Sequence, residues 1–224
     1  FSKNNIVPFL EEIKLSFEEL AKEKEINYSF QSSQNIIELW FDKINLKKIV
    51  YNLLSNAFKY TPNNGEISII LSPIKKLNKE NIAKDYLELV FKNSGNGISK
   101  KNMKLLFERF YQLDQDENTR SSGTGIGLAL TKNLVELHYG SIEVKSKEDK
   151  YTKFIIYLPL GNSHLNKEEI IHENNDIVSN KPFYINKLNH SENEYLTEEF
   201  RVDHTINNSL PTLLLVEDNN EVRS

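Results

Sequence analysis

Apolar residues in the first 24 positions recur near the helical period: Ile6, Phe9, Leu10, Ile13, Phe17 and Leu20. That spacing predicts a helix over about residues 5–24. "INYSF" and "IIELWF" follow as short runs rich in β-branched and aromatic residues, and they read as two strands. From Leu46 the helical period returns. Leu46, Ile49, Val50, Leu53, Leu54 and Ala57 fall on one arc at about 100° per residue, and Asp42 stands where an N-cap belongs. The turn "TPNNG" leads into "GEISIILS", a strand by its alternation. "DYLELVFKN" is apolar at nearly every position, as in a central strand. Residues 99–111 read as helical, and 112–124, "QLDQDENTRSSGT", as a mobile polar loop. Residues 125–138 return to helical spacing, and "SIEVKSK" with "YTKFIIYLPL" closes a hairpin. Past Gly161 asparagine and glutamate dominate and periodicity fades, the composition of a linker. A short buried-type strand, "TLLLVED", comes after Pro211.

Composition narrows the classes. For a chain of 224 residues, a net charge of −4 argues against a general nucleic-acid or membrane-surface binder, though not against a local basic patch. It has no cysteine, so disulfides and thiolate metal sites are excluded. No apolar run approaches the roughly 18–20 residues that span a bilayer. The opening "FSKNNIVPFL" has neither an initiator Met nor a signal-peptide pattern. The chain is therefore expected to be an internal piece of a longer protein.

Three segments carry candidate chemistry. Opposite the apolar arc of the central helix lie Asn52, Asn56 and Lys59, within roughly 60° of each other. A solvated face is one reading. Such faces usually carry Lys and Glu, however, and Asn is a poorer helix former. The other reading is a site: carboxamide oxygens one turn apart for a metal, and an ammonium for a phosphate. In "FKNSGNGI" a strand ends in Asn93, followed by Gly95 and Gly97. This is either an ordinary turn or a backbone that lets a flat ligand approach closely. In "GTGIGLAL" Gly123, Gly125 and Gly127 run into a helix whose free N–H groups form an anion site. Neither the dinucleotide fingerprint nor a P-loop fits the spacing.

Taken in order, "NLLSNAFKYT", "NSGNGI", "FERFYQ" and "GTGIGL" resemble the asparagine, first glycine, phenylalanine and second glycine boxes of the ATP-binding domain of sensor histidine kinases. That domain belongs to the gyrase–chaperone–kinase ATPase superfamily, and the resemblance covers residues from about 5 to 160. It implies an α/β fold, a two-layer sandwich with helices on one face of a mixed sheet. ATP would lie under a flexible lid at about 107–124. Asn56 would hold Mg²⁺, with Asn52 as a further candidate ligand. Lys59 would contact the phosphates, and the side chain of Asn93 would accept from the adenine amine. Gly123, Thr124, Gly125, Ile126, Gly127 and Leu128 would wrap the phosphates. Arg109 and Arg120 are candidate lid cations, and Tyr60, Gly95, Gly97, Ile98 and Thr152 complete the expected nucleotide set.

In hydrolysing branches of the superfamily a glutamate sits one turn before the metal-binding asparagine and activates water. Asn52 occupies that place, and an amide is no general base near neutral pH. The resemblance therefore implies transfer of the γ-phosphoryl group to a protein side chain, with a nucleotide-binding pseudokinase and a hydrolysing ATPase as rivals. Two residues depart from the family pattern. Asn93 stands where an aspartate is usual, and "KEDKYTKF" keeps Thr152 without the late glycine.

None of His138, His164, His172, His190 and His204 has the acceptor context, so the phosphorylated histidine is expected on a separate dimerisation segment. "LLLVEDNNEVR" resembles the start of a receiver domain, with Glu217 and Asp218 matching its acidic pair. The implied organisation is a connecting helix from the dimerisation segment at 1–24, a catalytic domain at 25–160, a polar linker at 161–210 and a truncated receiver strand at 211–224. The last of these is expected to form no receiver site. The partners would be the phosphoacceptor segment and receiver of the same homodimeric hybrid kinase, without nucleic-acid contact. The domain would be cytoplasmic and its parent held in the inner membrane.

Overall fold

One apolar arc of a central helix, pressed against one face of a sheet, organises the computed structural model, which describes residues 1–77, 83–112 and 124–171. The elements in chain order are β1 (Ser2–Asn5), α1 (Ile6–Leu15), α2 (Glu18–Glu23), β2 (Asn27–Ser32), β3 (Glu38–Phe41), α3 (Lys43–Tyr60), β4 (Glu66–Leu77), β5 (Ala83–Ser94), α4 (Lys100–Met103), α5 (Gly127–Leu137), β6 (Ser141–Lys147) and β7 (Tyr151–Pro159). The main sheet has the order β2-β4-β5-β7-β6, and β1 pairs with β3 apart from it. β2 runs parallel to β4, and the remaining pairs are antiparallel, so the sheet is mixed as expected.

Strand alternation explains the two faces. Ile67, Ile69 and Leu71 of β4, Leu87, Leu89 and Phe91 of β5, and Phe154, Ile156 and Leu158 of β7 join the helices in the main core. Val90, Ile155 and Tyr157 point the other way and form a second, smaller cluster with Ile70, Ile74 and Tyr86. This is why β5 reads as nearly continuous apolar sequence. On that second face the Lys76 ammonium lies 3.7 Å from the ring centroid of Tyr157.

α3 follows its sequence pattern closely. The Asp42 carboxylate accepts from the Asn45 backbone N–H at 3.0 Å and from its side-chain amide at 2.8 Å. Leu46, Ile49, Val50, Leu53, Leu54 and Ala57 are all buried. At the other end the Thr61 hydroxyl donates to the Ala57 carbonyl at 2.6 Å, and Pro62 prevents continuation. α5 is tied to the start of α3 through the buried His138. Its Nδ1 lies 2.7 Å from the Leu134 carbonyl, and its Nε2 accepts the Asp42 backbone N–H at 3.2 Å. These two bonds specify the tautomer with the proton on Nδ1.

Several elements differ from expectation. The helix expected over 5–24 breaks at Ser16 and Phe17 into α1 and α2. The break turns Phe17 inward, where its ring stacks on Phe58 at 5.3 Å and meets Tyr51 at 5.4 Å. Ile6, Leu10, Ile13, Phe17 and Ala21 enter the main core, so residues from the expected connecting helix at 1–24 pack into it. β1 carries no hydrophobic alternation and is held to β3 through the ladder, which is why its polar sequence gives no strand signal. The helix expected over 99–111 shrinks to α4 followed by turns, with Leu106 buried and Phe107 edge-on to Phe154 at 6.4 Å. The first residues of the expected linker lie on the domain, where the Tyr139 hydroxyl donates to the Glu169 carboxylate at 2.8 Å. The remainder of that linker, the strand expected at 211–224, and Glu217 and Asp218 lie outside the described residues. No described helix is long and apolar enough to cross a membrane.

Two stability predictions follow from this packing. Phe17→Ala should cost about 3–5 kcal/mol, seen as a lowered urea midpoint, whereas Leu15→Ala at the exposed neighbour should stay within about 0.5 kcal/mol. The Tyr28 hydroxyl is buried without a hydrogen-bond partner, and burial pushes its pKa up. Its ring packs edge-on against Phe58 at 5.1 Å. Tyr28→Phe should therefore be neutral or raise stability by about 1 kcal/mol, measured as the shift in thermal midpoint.

Candidate nucleotide-binding site

The polar face of α3 supplies the first residues. Asn52 and Asn56 are half-buried one turn apart, and Lys59 follows, its ammonium 5.4 Å from the ring of the exposed Tyr60. Asn52 does not face solvent freely. Its side-chain amide donates to the Thr131 hydroxyl of α5 at 2.7 Å. Its oxygen lies so close to Gly127 that a Cβ there would meet it at 2.5 Å. The asparagine segment and the second glycine segment are thus in direct contact.

Asn93 ends the core-facing row of β5 and is buried. Its side-chain amide donates to the Ser94 carbonyl at 2.9 Å, which leaves the carboxamide oxygen as the acceptor. Its cross-strand partner on β7 is Thr152, also buried, so the two polar side chains share the helix-facing side at the sheet's end. The Thr152 hydroxyl lies 3.1 Å from that of Ser146. Ser146 in turn accepts the Ile98 backbone N–H at 2.9 Å and donates to the Tyr151 carbonyl at 2.6 Å. Ser146 thereby pins the first glycine segment to the β6–β7 hairpin. Sequence reading missed it, because a serine in a half-exposed strand carries no signal. Thr131 was also missed, although a lone hydroxyl on the buried arc of α5 was a readable clue.

The glycines turn out to accommodate the protein's own backbone. Gly95 has φ +143°, and a Cβ on it would meet the Tyr60 carbonyl at 2.5 Å. Gly97 has φ +66°, and a Cβ there would fall 2.2 Å from the Lys147 carbonyl. Both are required by the fold itself, whose own backbone passes too close for a side chain. Gly125, at φ +68°, accepts the Phe110 backbone N–H at 3.0 Å and joins the phenylalanine segment to the second glycine segment.

Contacts between segments 52 and 127–131, 60 and 95, 93 and 152, and 110 and 125 therefore gather all four sequence segments at one end of the domain. α5 begins at Gly127 with no side-chain cap among the described residues, and a helix's first-turn N–H groups have no intrahelical partners. Thr124 and Ile126 are exposed just before it, and Leu128 packs back onto the core. Ile98 is half-buried, and Arg109 is exposed on the turn before Phe110. Arg120 and Gly123 lie outside the described residues. No group of three His, Asp or Glu side chains suited to a metal occurs among the described residues. A shallow cleft lined by Ser29, Ser68, Lys92 and Lys150 opens elsewhere and contains none of these side chains.

Comparison with known proteins places the chain in a family. Residues 41–162 match the family model of histidine kinase-, DNA gyrase B- and HSP90-like ATPases. The chain is 34% identical, over 99% of its length, to histidine kinase P4 of Formosa agariphila, and it spans 16% of that protein. It is 30% identical over 78% of its length to hybrid signal transduction histidine kinase D of Dictyostelium discoideum, spanning 11% of it. Among solved structures, the nucleotide-free catalytic domain of histidine kinase ThkA superposes with a TM-score of 0.59 at 24% identity. That match covers 70% of this chain and 94% of the other, an agreement of fold. Segments, geometry and relatives converge: the chain belongs to the histidine kinase-, DNA gyrase B- and HSP90-like ATPase family, as a catalytic ATP-binding domain of the sensor histidine kinase type.

Proposed function

We propose that the chain binds Mg-ATP and transfers the γ-phosphoryl group to a histidine on a separate dimerisation segment, for relay to a receiver aspartate. The observation that carries the choice of transfer over hydrolysis is the state of Asn52. The position one turn before Asn56 holds an amide whose N–H is committed to Thr131. Such a group cannot take a proton from water, so nothing at that position favours hydrolysis, and positioning of the phosphate is left to dominate.

The residues fit their roles. Asn56 would offer its carboxamide oxygen to Mg²⁺, and Lys59 its ammonium to the phosphates. The oxygen of Asn93 would accept from the adenine amine, beside Thr152. The uncapped first turn of α5 would receive phosphate oxygens through backbone N–H groups. Mg²⁺, when bound, would neutralise charge on the phosphates. The parent would be a homodimeric hybrid kinase, with the acceptor histidine and the receiver on other segments, this domain facing the cytoplasm and the parent held in the inner membrane. Its organisation would follow the divisions at 1–24, 25–160, 161–210 and 211–224, with the first of these packed into the catalytic core.

The decisive measurement is phosphotransfer from radiolabelled ATP to a separately supplied acceptor segment. Label on the acceptor histidine is expected. Nucleotide binding without label would select the pseudokinase reading, and free phosphate without acceptor label the hydrolase. Asn56→Ala should abolish Mg²⁺-dependent ATP binding yet leave the thermal midpoint nearly unchanged, because position 56 lies off the buried arc of α3. Asn93→Ala should weaken ATP about tenfold, the loss of a hydrogen bond worth about 1.4 kcal/mol. GTP, which lacks the adenine amine, should be affected much less, and displacement titrations of the two nucleotides check this.

A further inference from the structure

We propose that Thr131 is a positioning residue that orients Asn52 and so sets how the chain holds the metal-triphosphate end of the nucleotide. This rests on the Mg-ATP reading above. Thr131 lies on the core-facing arc of α5 with Ala129, Leu134 and Val135, and it is 1% exposed. A valine would fill nearly the same volume there without a polar atom to satisfy. The hydroxyl is used instead to accept the Asn52 amide, 79 positions away in sequence, at 2.7 Å.

The bond anchors the carboxamide on α5; because a hydroxyl can donate as well as accept, the choice between its two ways round is made at the other end of the amide. With its N–H₂ end on Thr131, the oxygen is turned to the first residue of α5, where a Cβ on Gly127 would come within 2.5 Å of it. The first turn of that helix carries N–H groups without intrahelical partners and the positive end of the helix dipole. An oxygen at that end is favoured by the dipole, whereas a flipped amide would turn its N–H₂ group there. Only the oxygen-out orientation can ligate a cation or accept from a water on that cation. Thr131 thus reaches the phosphate end only through Asn52, and Gly127 leaves the space that Asn52 needs. The adenine end, built around Asn93 and Thr152 on the sheet, shares neither residue.

The test compares Mg-ATP and adenosine binding by calorimetry for the whole chain and for Thr131→Val, Thr131→Ser and Asn52→Ala, with thermal midpoints recorded in parallel. Thr131→Val should weaken Mg-ATP about tenfold, the cost of one lost hydrogen bond, and leave adenosine within about twofold. Thr131→Ser, which keeps the hydroxyl, should restore Mg-ATP affinity. In the Asn52→Ala background, Thr131→Val should cause no further loss. Equal loss of Mg-ATP and adenosine, additive effects with Asn52→Ala, or an unchanged Mg-ATP affinity in folded Thr131→Val would overturn the proposal. If Thr131→Val does not fold, Gly127→Ala presses on the same carboxamide from its oxygen end. It should show the same selective loss, and its failure to do so is equally decisive. No nucleotide binding by the unsubstituted chain would overturn the Mg-ATP reading itself, an outcome distinct from all of these.

Discussion

Helix α3 has to satisfy two opposed demands along the same eighteen residues, Lys43–Tyr60. One arc is buried against the sheet, with Leu46, Ile49, Val50 and Leu54 wholly inaccessible. The other presents Asn52, Asn56 and Lys59. Because the arc locks the rotation of the helix, the polar residues have no freedom to face elsewhere. Burial of several large side chains, each worth about 1.5–3 kcal/mol, outweighs the modest helix-propensity cost of two asparagines. The core therefore aims the site.

The rest of the site is assembled by close approaches to that helix. The end of α3 meets Gly95 through the Tyr60 carbonyl, and its middle meets Gly127 and Thr131 through Asn52. The sheet contributes Asn93 and Thr152 at the ends of β5 and β7, placed by strand register. Where backbone passes this close, any side chain would collide, and at Gly95, Gly97 and Gly125 positive φ adds a second requirement. The glycines attributed to a ligand's needs serve the scaffold first. The start of α5, which has no side-chain cap, is held in place by the same contacts.

At the opposite end of α5, His138 performs a purely architectural task. With Nδ1–H donating to Leu134 and Nε2 accepting from Asp42, both ring nitrogens are engaged inside the fold. The same Asp42 caps α3 through its carboxylate. One residue thus registers the start of α3 against the end of α5, while Asn52 and Thr131 register the two helices near the site.

The local periodicity of the chain by itself determined the buried arc of α3, its Asp42 cap, the β6–β7 hairpin and α5, because each rests on neighbours within a few residues. The order of the four short segments likewise identified the family, and the structure brings those segments together. Other features were decided only in three dimensions. The break between α1 and α2 exists because Phe17 finds Phe58 and Tyr51, which lie more than thirty positions on. β1 exists because β3 supplies a ladder to four polar residues, Ser2–Asn5. Ser146 and Thr131 acquire their roles from partners on other elements, Ile98 and Asn52. Hydrogen bonds and ring contacts across such separations leave no period in the sequence, since what specifies them is the packing of whole elements against one another.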